Sequence, residues 1–398
     1  MGTATLVRAR GKRHTHNRKP VQASRYSAAW YLRLWAGGFV AASALVMLVS
    51  PYFVSSLKVY EWSPELDDYV FAKGYVHRER GEGWAATRYG DFGLSGTTPA
   101  LAAQGQTILI WGDSFVEAHN VADSQKAASQ VTQVFSQGGR TRITAAAVGY
   151  SYWSVADYYF NIPYYEKLLN PICHFIVLAE HGLTDICPDE ERFLSASTYQ
   201  FVHCGKMDPQ KSQKMRVLTT WHLQDLVLAP WKAARNVAAD LQHARFLPVL
   251  GRSPRPESRN SGLLYLSDDT DPNVVIAGWT YALTMLKSST KKSIVLVSVP
   301  EVPVLQNGEI CCEDPQSRWN ARLAKLCREQ GIGYIDMAQT LVDDYRATGR
   351  LSRGFHNGVP GCGHLNARGQ YLLSEVICAY LREHFGDSIE EHHVVHAN

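Results

Sequence analysis

Short apolar runs alternate with segments of helical periodicity from residue 107 to residue 385. Runs rich in branched and aromatic residues predict buried strands, whereas apolar residues at intervals of three and four predict amphipathic helices. The predicted strands are 107–111, 142–148, 173–179, 293–299 and 332–337, and the predicted helices are 123–137, 153–169, 273–288, 315–330, a short one ending near 347, and 366–385. This order predicts an α/β domain over residues 105–386, with a mostly parallel sheet covered by helices on both faces.

Two further segments do not follow this alternation. Residues 58–104 hold glycine, proline and scattered charge with little periodicity, so we interpret them as a linker or an irregular lead-in. Residues 187–270 contain helical stretches and a polar, proline-containing loop, and they are typical of an insertion into the domain. No internal repeat is visible, and residues 387–398 form a short C-terminal tail.

The N-terminal region is typical of a membrane anchor. Residues 34–57 carry no charge over 24 positions, and about 20 apolar residues suffice to span a bilayer. Residues 1–33 carry eight basic residues and no acidic one. Cations next to a span favour the cytoplasmic side, so the sequence predicts a single transmembrane helix with a cytoplasmic basic tail. In a bacterial cell this places the helix in the inner membrane and the main domain in the periplasm. A cleaved signal peptide is the alternative, although no clean small-x-small site follows the apolar run.

Charge and cysteine content exclude several classes of protein. The net charge of +3 conceals a basic tail and a mildly acidic remainder, which argues against nucleic acid as a partner. The eight cysteines include no C-x-x-C pair, so we expect no metal site. Cys187 and Cys204 flank a loop and are candidate disulfide partners in an oxidising compartment.

Two polar residues stand at the ends of predicted elements, where an α/β scaffold can carry a nucleophile and a general base. Ser114 follows the first strand of the domain through Gly112 and Asp113, and a tight turn there would present its hydroxyl. A serine in a turn is ordinarily a cap or a surface group. His364 immediately precedes a helix with an N-cap at Asn366, which is a usual place for a general base, although a lone histidine is more often structural. His356 and Asn357 are close to it in sequence and are candidates for shaping its loop.

The order of these motifs resembles that of the GDSL/SGNH hydrolase family over about residues 105–386. The matching residues are Gly112-Asp113-Ser114, Gly149, Gly182-Leu183-Thr184-Asp185 and Gly363-His364. The resemblance implies an SGNH-type (flavodoxin-like) sheet and a reaction without a cofactor. It also implies that Ser114 is the nucleophile and His364 the base, with oxyanion donors at Gly149 and Thr184. The supporting residues that it suggests are Asp113, Asp185 and Asn366.

The sequence departs from that family at two positions. Thr184 stands where the family has an asparagine that donates to the oxyanion, and its hydroxyl has a shorter reach. Gly361 stands three residues before the histidine, where the family has its acid. Either the acid comes from elsewhere or His364 works with a backbone carbonyl as a dyad. The candidate acids, which the sequence does not rank, are Asp336, Asp343 and Asp344.

The predicted anchor narrows the expected substrate. An anchored, exported domain with these motifs is similar to SGNH-type proteins associated with bacterial exopolysaccharides, which add or remove O-acyl groups, commonly acetyl. This similarity implies an O-acyl esterase or acyltransferase with a cell-envelope polysaccharide as substrate and a membrane acyl-donor protein as a candidate partner. Tyr150 and Trp153 are candidates for substrate contact, with core packing as the alternative. Two rival hypotheses are a non-catalytic glycan-binding or assembly protein on the same scaffold, and a lipase.

Overall fold

The computed structural model describes most of the predicted domain and the helix that precedes it. The described residues are 27–56, 58–66, 68–95, 105–137, 143–151, 153–179, 272–306 and 308–391. The chain divides into two compact units, Met1–Leu48 and Val49–Asn398. Most of the basic tail, the predicted insertion at 187–270, and the two residues of the candidate disulfide lie outside the described residues, as do Thr184 and Asp185.

The first helix, α1, runs from Ala28 to Phe53, so it begins and ends earlier than the predicted span of 34–57. Within it, Ala28–Val46 has a mean hydropathy of 1.2, and none of that stretch is buried against the rest of the protein. Exposed apolar side chains such as Trp35 and Phe39 occur around the helix. By length and composition this helix can cross a membrane.

A five-stranded parallel sheet forms the centre of the second unit. Its strands are β5 (Gln106–Gly112), β6 (Ile143–Gly149), β7 (Pro171–Ala179), β8 (Ser293–Val299) and β11 (Gly333–Asp336). Their order across the sheet is β6-β5-β7-β8-β11, and every neighbouring pair is parallel. If these five strands are renumbered from 1 to 5 in chain order, their order across the sheet is 2-1-3-4-5, as in flavodoxin-like folds. The predicted fold class is therefore confirmed.

Helices cover both faces of the sheet. They are α3 (Ala127–Gln137), α4 (Val155–Leu169), α5 (Pro272–Ser288), α6 (Ser317–Glu329), α7 (Ala338–Thr348) and α8 (Ala367–Glu391). Alternate residues of β5 point to opposite faces: Leu109 and Trp111 belong to one hydrophobic core, and Ile108 and Ile110 belong to the other. Each predicted strand and helix outside the insertion is present near its expected bounds. A short hairpin of β9 (Val304–Gln306) and β10 (Glu309–Cys311) was not expected.

The described part of the predicted linker folds into two antiparallel hairpins instead of an irregular segment. The first pairs β1 (Tyr60–Ser63) with β2 (Asp68–Phe71), and the second pairs β3 (Val76–Glu79) with β4 (Ala85–Arg88). Strands of four residues are too short to show a clear period of two, which explains why the pattern did not predict them. The ring of Phe71 stacks on those of Tyr89 and Tyr150, so this segment packs onto the main core.

Candidate active site

Ser114 begins a one-turn helix, α2 (Ser114–Glu117), directly after the central strand β5. The carboxylate of Asp113 accepts a hydrogen bond from the amide of Phe115 at 2.9 Å and caps this helix. A Cβ at Gly112 would overlap the side chain of Val116, so the turn from strand to helix requires glycine there. The result is that the Ser114 hydroxyl stands at the carboxyl end of the sheet, where α/β enzymes carry their sites.

The loop before α8 brings His364 to this hydroxyl across 250 positions of sequence. Nε2 of His364 lies 2.8 Å from Oγ of Ser114. Arg353, which is buried, holds the loop by donating to the carbonyls of Val299 at 2.6 Å and Gly363 at 3.0 Å. The side-chain oxygen of Asn366 accepts from the amide of Arg368 at 2.9 Å, so Asn366 caps the last helix as the sequence indicated.

The partner of His364 is Glu82, from the turn between β3 and β4. Nδ1 of His364 lies 2.6 Å from Oε2 of Glu82, and the backbone amide of His364 donates to Oε1 at 2.9 Å. Gly363 has a φ of +82°, and a Cβ there would overlap Oε1 of Glu82, so glycine is required beside the carboxylate. Ser114, His364 and Glu82 thus form a continuous hydrogen-bonded chain.

The candidate acids from the sequence lie elsewhere. The side chain of Asp336 accepts a hydrogen bond from the amide of Ala338, the first residue of α7, at 2.9 Å. Asp344 pairs with Arg368, and Asp343 is an exposed partner of Arg346. Asp336 ends β11, and Asp343 and Asp344 lie on the helix that follows it, so all three have partners at that edge of the sheet. The carboxylate beside the imidazole comes instead from the N-terminal segment. Nδ1 of His364 therefore has the carboxylate of Glu82 as its partner, and not the backbone carbonyl of the alternative dyad.

Two asparagines fix the backbone of the turn that carries Glu82. The side-chain oxygen of Asn357 accepts from the amide of Gly83 at 2.8 Å, and its nitrogen donates to the carbonyls of Arg80 and Gly83, both at 3.0 Å. Asn120 donates to the carbonyl of Glu82 at 2.7 Å. Asn357 therefore does more than shape its own loop, since it joins the histidine loop to the acid-bearing turn.

The charge of Glu82 determines which ring nitrogen of His364 carries the proton. Partial burial by itself would raise the pKa of Glu82, but the hydrogen bonds and charge of His364 outweigh it and lower that pKa. The carboxylate is then ionised and can only accept hydrogen bonds, which places the imidazole proton on Nδ1. Nε2 of His364 is left as the acceptor for the Ser114 hydroxyl, and this is the tautomer that a general base needs.

Gly149, the predicted oxyanion donor, ends strand β6 beside the nucleophile turn. It lies opposite Gly112 in the register of β5 and β6. A Cβ at Gly149 would overlap the backbone of Val116 and Glu117, so only glycine lets this strand end approach α2 so closely. Thr184 and Asp185, the other predicted members of this part of the site, lie outside the described residues.

The two aromatic candidates for substrate contact differ in exposure. Tyr150 is 6% exposed, and its ring lies between Phe71 at 4.8 Å and Trp153 at 4.3 Å, so it packs the core. Burial accordingly raises its pKa well above the usual value. Trp153 is half-buried and lines a small cavity together with Asp113 and Val177. Only Trp153 of this pair borders open space.

Glu82 was not predicted from the sequence, because no periodic element or known motif marks it. One weak signal was present: Glu82 lies between Gly81 and Gly83 in a segment otherwise taken as a linker. A carboxylate flanked by glycines is a frequent surface turn. Nothing in the sequence distinguishes that case from a turn that closes onto a histidine 282 positions away.

Comparisons with known proteins concern the fold. The chain is similar to a two-domain esterase active on acetylated mannans (13% identity, TM-score 0.34, 73% of this chain and 51% of that one). It is also similar to TesA (11% identity, TM-score 0.35, 70% of this chain and 99% of that one). A further similar structure is that of Axe2, an acetylxylan esterase from Geobacillus stearothermophilus (14% identity, TM-score 0.35, 70% of this chain and 94% of that one). The chain thus spans about half the length of the two-domain esterase. No protein-family model matches the sequence, and no curated protein matches it. At such low identity the chemistry must be argued from this chain's own side chains.

Proposed function

We propose that this protein is a serine-dependent O-acyl esterase or acyltransferase of SGNH type that acts on a cell-envelope polysaccharide, with acetyl as the expected acyl group. The observation that carries the proposal is the chain of contacts from Ser114 to His364 at 2.8 Å and from His364 to Glu82 at 2.6 Å. A nucleophile, a base and an acid that orients the base are the requirements for acyl transfer through serine.

The arrangement supports a two-step reaction. Oγ of Ser114 attacks the ester carbonyl carbon while its proton passes to Nε2 of His364, and the carbonyl oxygen becomes an oxyanion. Collapse of this intermediate breaks the bond to the alcohol, which takes the proton back from the imidazolium, and the acyl group stays on Ser114. Water or a sugar hydroxyl then attacks the acyl-enzyme, with His364 again as the base, and regenerates the serine.

Glu82 supplies the negative charge that stabilises the imidazolium in both steps. It thereby fills the place that Gly361 leaves empty in the resemblance to the SGNH family. The lack of an acid three residues before His364 is an argument for the non-catalytic hypothesis, and the contact with Glu82 removes that argument and favours an enzyme. The amides of Ser114 and Gly149 are the proposed oxyanion donors, with the hydroxyl of Thr184 as a third.

The location and the partners extend the same proposal. Helix α1 would anchor the chain in a bacterial inner membrane, with the basic tail in the cytoplasm and the α/β domain in the periplasm. A membrane acyl-donor protein would supply the acyl group if the reaction is transfer. Trp153, which borders the cavity next to Asp113, is the remaining aromatic candidate for contact with a sugar face.

A serine-directed probe tests the proposal. The full chain in detergent is treated with a fluorophosphonate, and the labelled residue is mapped by mass spectrometry. We expect the label on Ser114 and none on the Ser114→Ala variant. Labelling of another residue, or no labelling together with no hydrolysis of 4-nitrophenyl acetate, would overturn it.

A second assay separates the two reactions and the lipase hypothesis. Release of 4-nitrophenol from acetyl and longer-chain esters is measured with and without a polysaccharide acceptor, and the acceptor is then analysed for new acyl esters. Acyl groups on the acceptor indicate transfer, whereas free acid alone indicates hydrolysis. A preference for long acyl chains would favour a lipase over the proposed substrate class.

A further inference from the structure

A buried ion pair lies beside the catalytic chain without belonging to it. Nζ of Lys58 is 2.7 and 2.8 Å from the two carboxylate oxygens of Glu117. The side chain of Glu117 is 2% exposed and that of Lys58 is 29% exposed. Withdrawing charged groups from water is unfavourable, and the attraction between the two ions offsets this cost only when their geometry is good. Glu117 lies three residues after Ser114, so the pair is placed to act on the helix that carries Ser114.

Glu117 connects the helix of the nucleophile to the turn after β6. The amide of Ser151 donates to Oε2 of Glu117 at 3.2 Å, and the Ser151 hydroxyl donates to the same oxygen. Lys58 closes the arrangement by donating to Oγ of Ser151 at 2.7 Å. The backbone of Gly149 already lies against this helix, since a Cβ there would overlap the amide of Glu117.

The surroundings make Lys58 the counter-ion of Glu117. Nε2 of His119 lies 3.3 Å from Oε1 of Glu117 and also bonds to the hydroxyl of Tyr89. Burial, followed by the nearby charges of His77 and Lys58, lowers the pKa of His119, so its imidazole is neutral. The cation that balances the carboxylate therefore comes from the segment that directly follows α1.

We propose that Glu117 and Lys58 are positioning residues that hold the oxyanion donors at Ser114 and Gly149 in fixed relation to each other. This inference rests on the proposed function, because the two amides act as donors only if an ester carbonyl reacts there. Helix α2 has four residues and ends at Ala118 in the left-handed conformation, so its own hydrogen bonds fix it weakly. The carboxylate of Glu117 supplies the missing tether.

The size of the expected effect follows from the chemistry. An oxyanion donor must lie about 2.7–3.1 Å from the developing charge, and loss of one donor costs roughly 100-fold to 1000-fold in rate. A displacement of about 1 Å can cost on the order of 100-fold. Loosening the tether should therefore lower kcat by about 10-fold to 100-fold and leave KM nearly unchanged.

The test compares Glu117→Met with the double variant Lys58→Met/Glu117→Met in the full chain. Replacing both members of a buried ion pair by apolar residues is often neutral for stability, whereas removing one is not. We expect the double variant to recover the melting temperature of the wild type but not its kcat for 4-nitrophenyl acetate. The inhibition constant of 1,1,1-trifluoroacetone, which forms a tetrahedral oxyanion with serine, should rise by the same factor as kcat falls.

Three comparisons make the outcome decisive. Asp344→Asn, which breaks an ion pair of similar burial with Arg368, should leave kcat and the inhibition constant unchanged. Recovery of kcat in the double variant, or an unchanged inhibition constant, would overturn the positioning role. If either methionine variant fails to fold, Ser151→Ala decides: a parallel loss of roughly three-fold or more in both quantities supports the role, and no change overturns it.

Hydrolysis and inhibition measured on the wild type distinguish a failure of the positioning role from a failure of the proposed function. Inhibition of the wild type by trifluoroacetone, with loss of inhibitor binding in Ser114→Ala, keeps the proposed function intact whatever the Glu117 variants do. Absence of hydrolysis and of inhibition in the wild type would overturn the proposed function itself, and the positioning role with it.

Discussion

The proposed catalytic residues Ser114, His364 and Glu82 join two regions that differ in how their sequences relate to their structures. Ser114 and His364 lie on the α/β domain, where long apolar strands and periodic helices predict the elements that carry them. Glu82 and Lys58 lie in the segment after α1, where short strands and glycine turns show little periodicity. This second region nevertheless supplies the carboxylate beside His364 and a half-buried cation. A segment without a clear pattern can therefore hold a functional part of a site when the scaffold gives it a surface to pack on.

The largest effect should come from the nucleophile. Ser114→Ala removes the hydroxyl that lies 2.8 Å from His364, and we expect kcat for ester hydrolysis to fall by about 10⁴-fold or more. The fold should be unchanged because the new side chain is smaller and half-exposed. The measurement is hydrolysis of 4-nitrophenyl acetate together with circular dichroism. A variant that keeps full activity would show that Ser114 is not the nucleophile.

The acid from the N-terminal segment should have the next largest effect. Glu82→Gln removes the charge that stabilises the imidazolium, and we expect a loss of about 1000-fold in kcat/KM. The acid limb of the pH–rate profile should move to lower pH, because protonated His364 loses its anionic partner. Asp344→Asn is the matched control, since Asp344 pairs with Arg368 instead. Equal activity of the wild type and Glu82→Gln would show that Glu82 does not act on His364 during the reaction.

Asn357 joins the two regions, and its removal should have a moderate effect. Asn357→Ala deletes three hydrogen bonds to the backbone of Arg80 and Gly83, so the turn that carries Glu82 is held less firmly. We expect a loss of about 10-fold in kcat with KM nearly unchanged. Ser288→Ala, at the end of α5 on another part of the domain, serves as the control. A large rise in KM with unchanged kcat would indicate contact with substrate instead of positioning.

The smallest effect concerns stability at low pH. Burial raises the pKa of Glu79, but the ring of His77, with Nε2 3.6 Å from Oε2, and the hydrogen bonds from the hydroxyl of Ser55 and the amide of Gly81 outweigh it and lower the pKa to about 2. Because the pKa is depressed on folding, the stabilisation is complete above about pH 4.5 and is lost as the pH falls toward 2. Glu79→Gln should lower the melting temperature by a few degrees at pH 7, corresponding to on the order of 2 kcal/mol.

The pH dependence distinguishes a specific role of this carboxylate from general instability. The difference in melting temperature between Glu79→Gln and the wild type should shrink as the pH falls below about 4.5. A difference that stays constant from pH 7 to pH 3 would show that the ionised carboxylate does not stabilise the second hairpin.

The sequence by itself determined the central sheet, the helices around it, and the places of Ser114 and His364 on that scaffold. Burial imposes a period of 2 on strands and of 3.6 on helices, and turns of these elements select glycine and capping residues, so these features are written locally. Only the tertiary structure decided that Glu82 faces His364 and that Lys58 pairs with Glu117. The first contact joins residues 282 positions apart and the second joins residues 59 positions apart. Because Glu, His and Lys are common on protein surfaces, no local pattern in the sequence predicts these contacts.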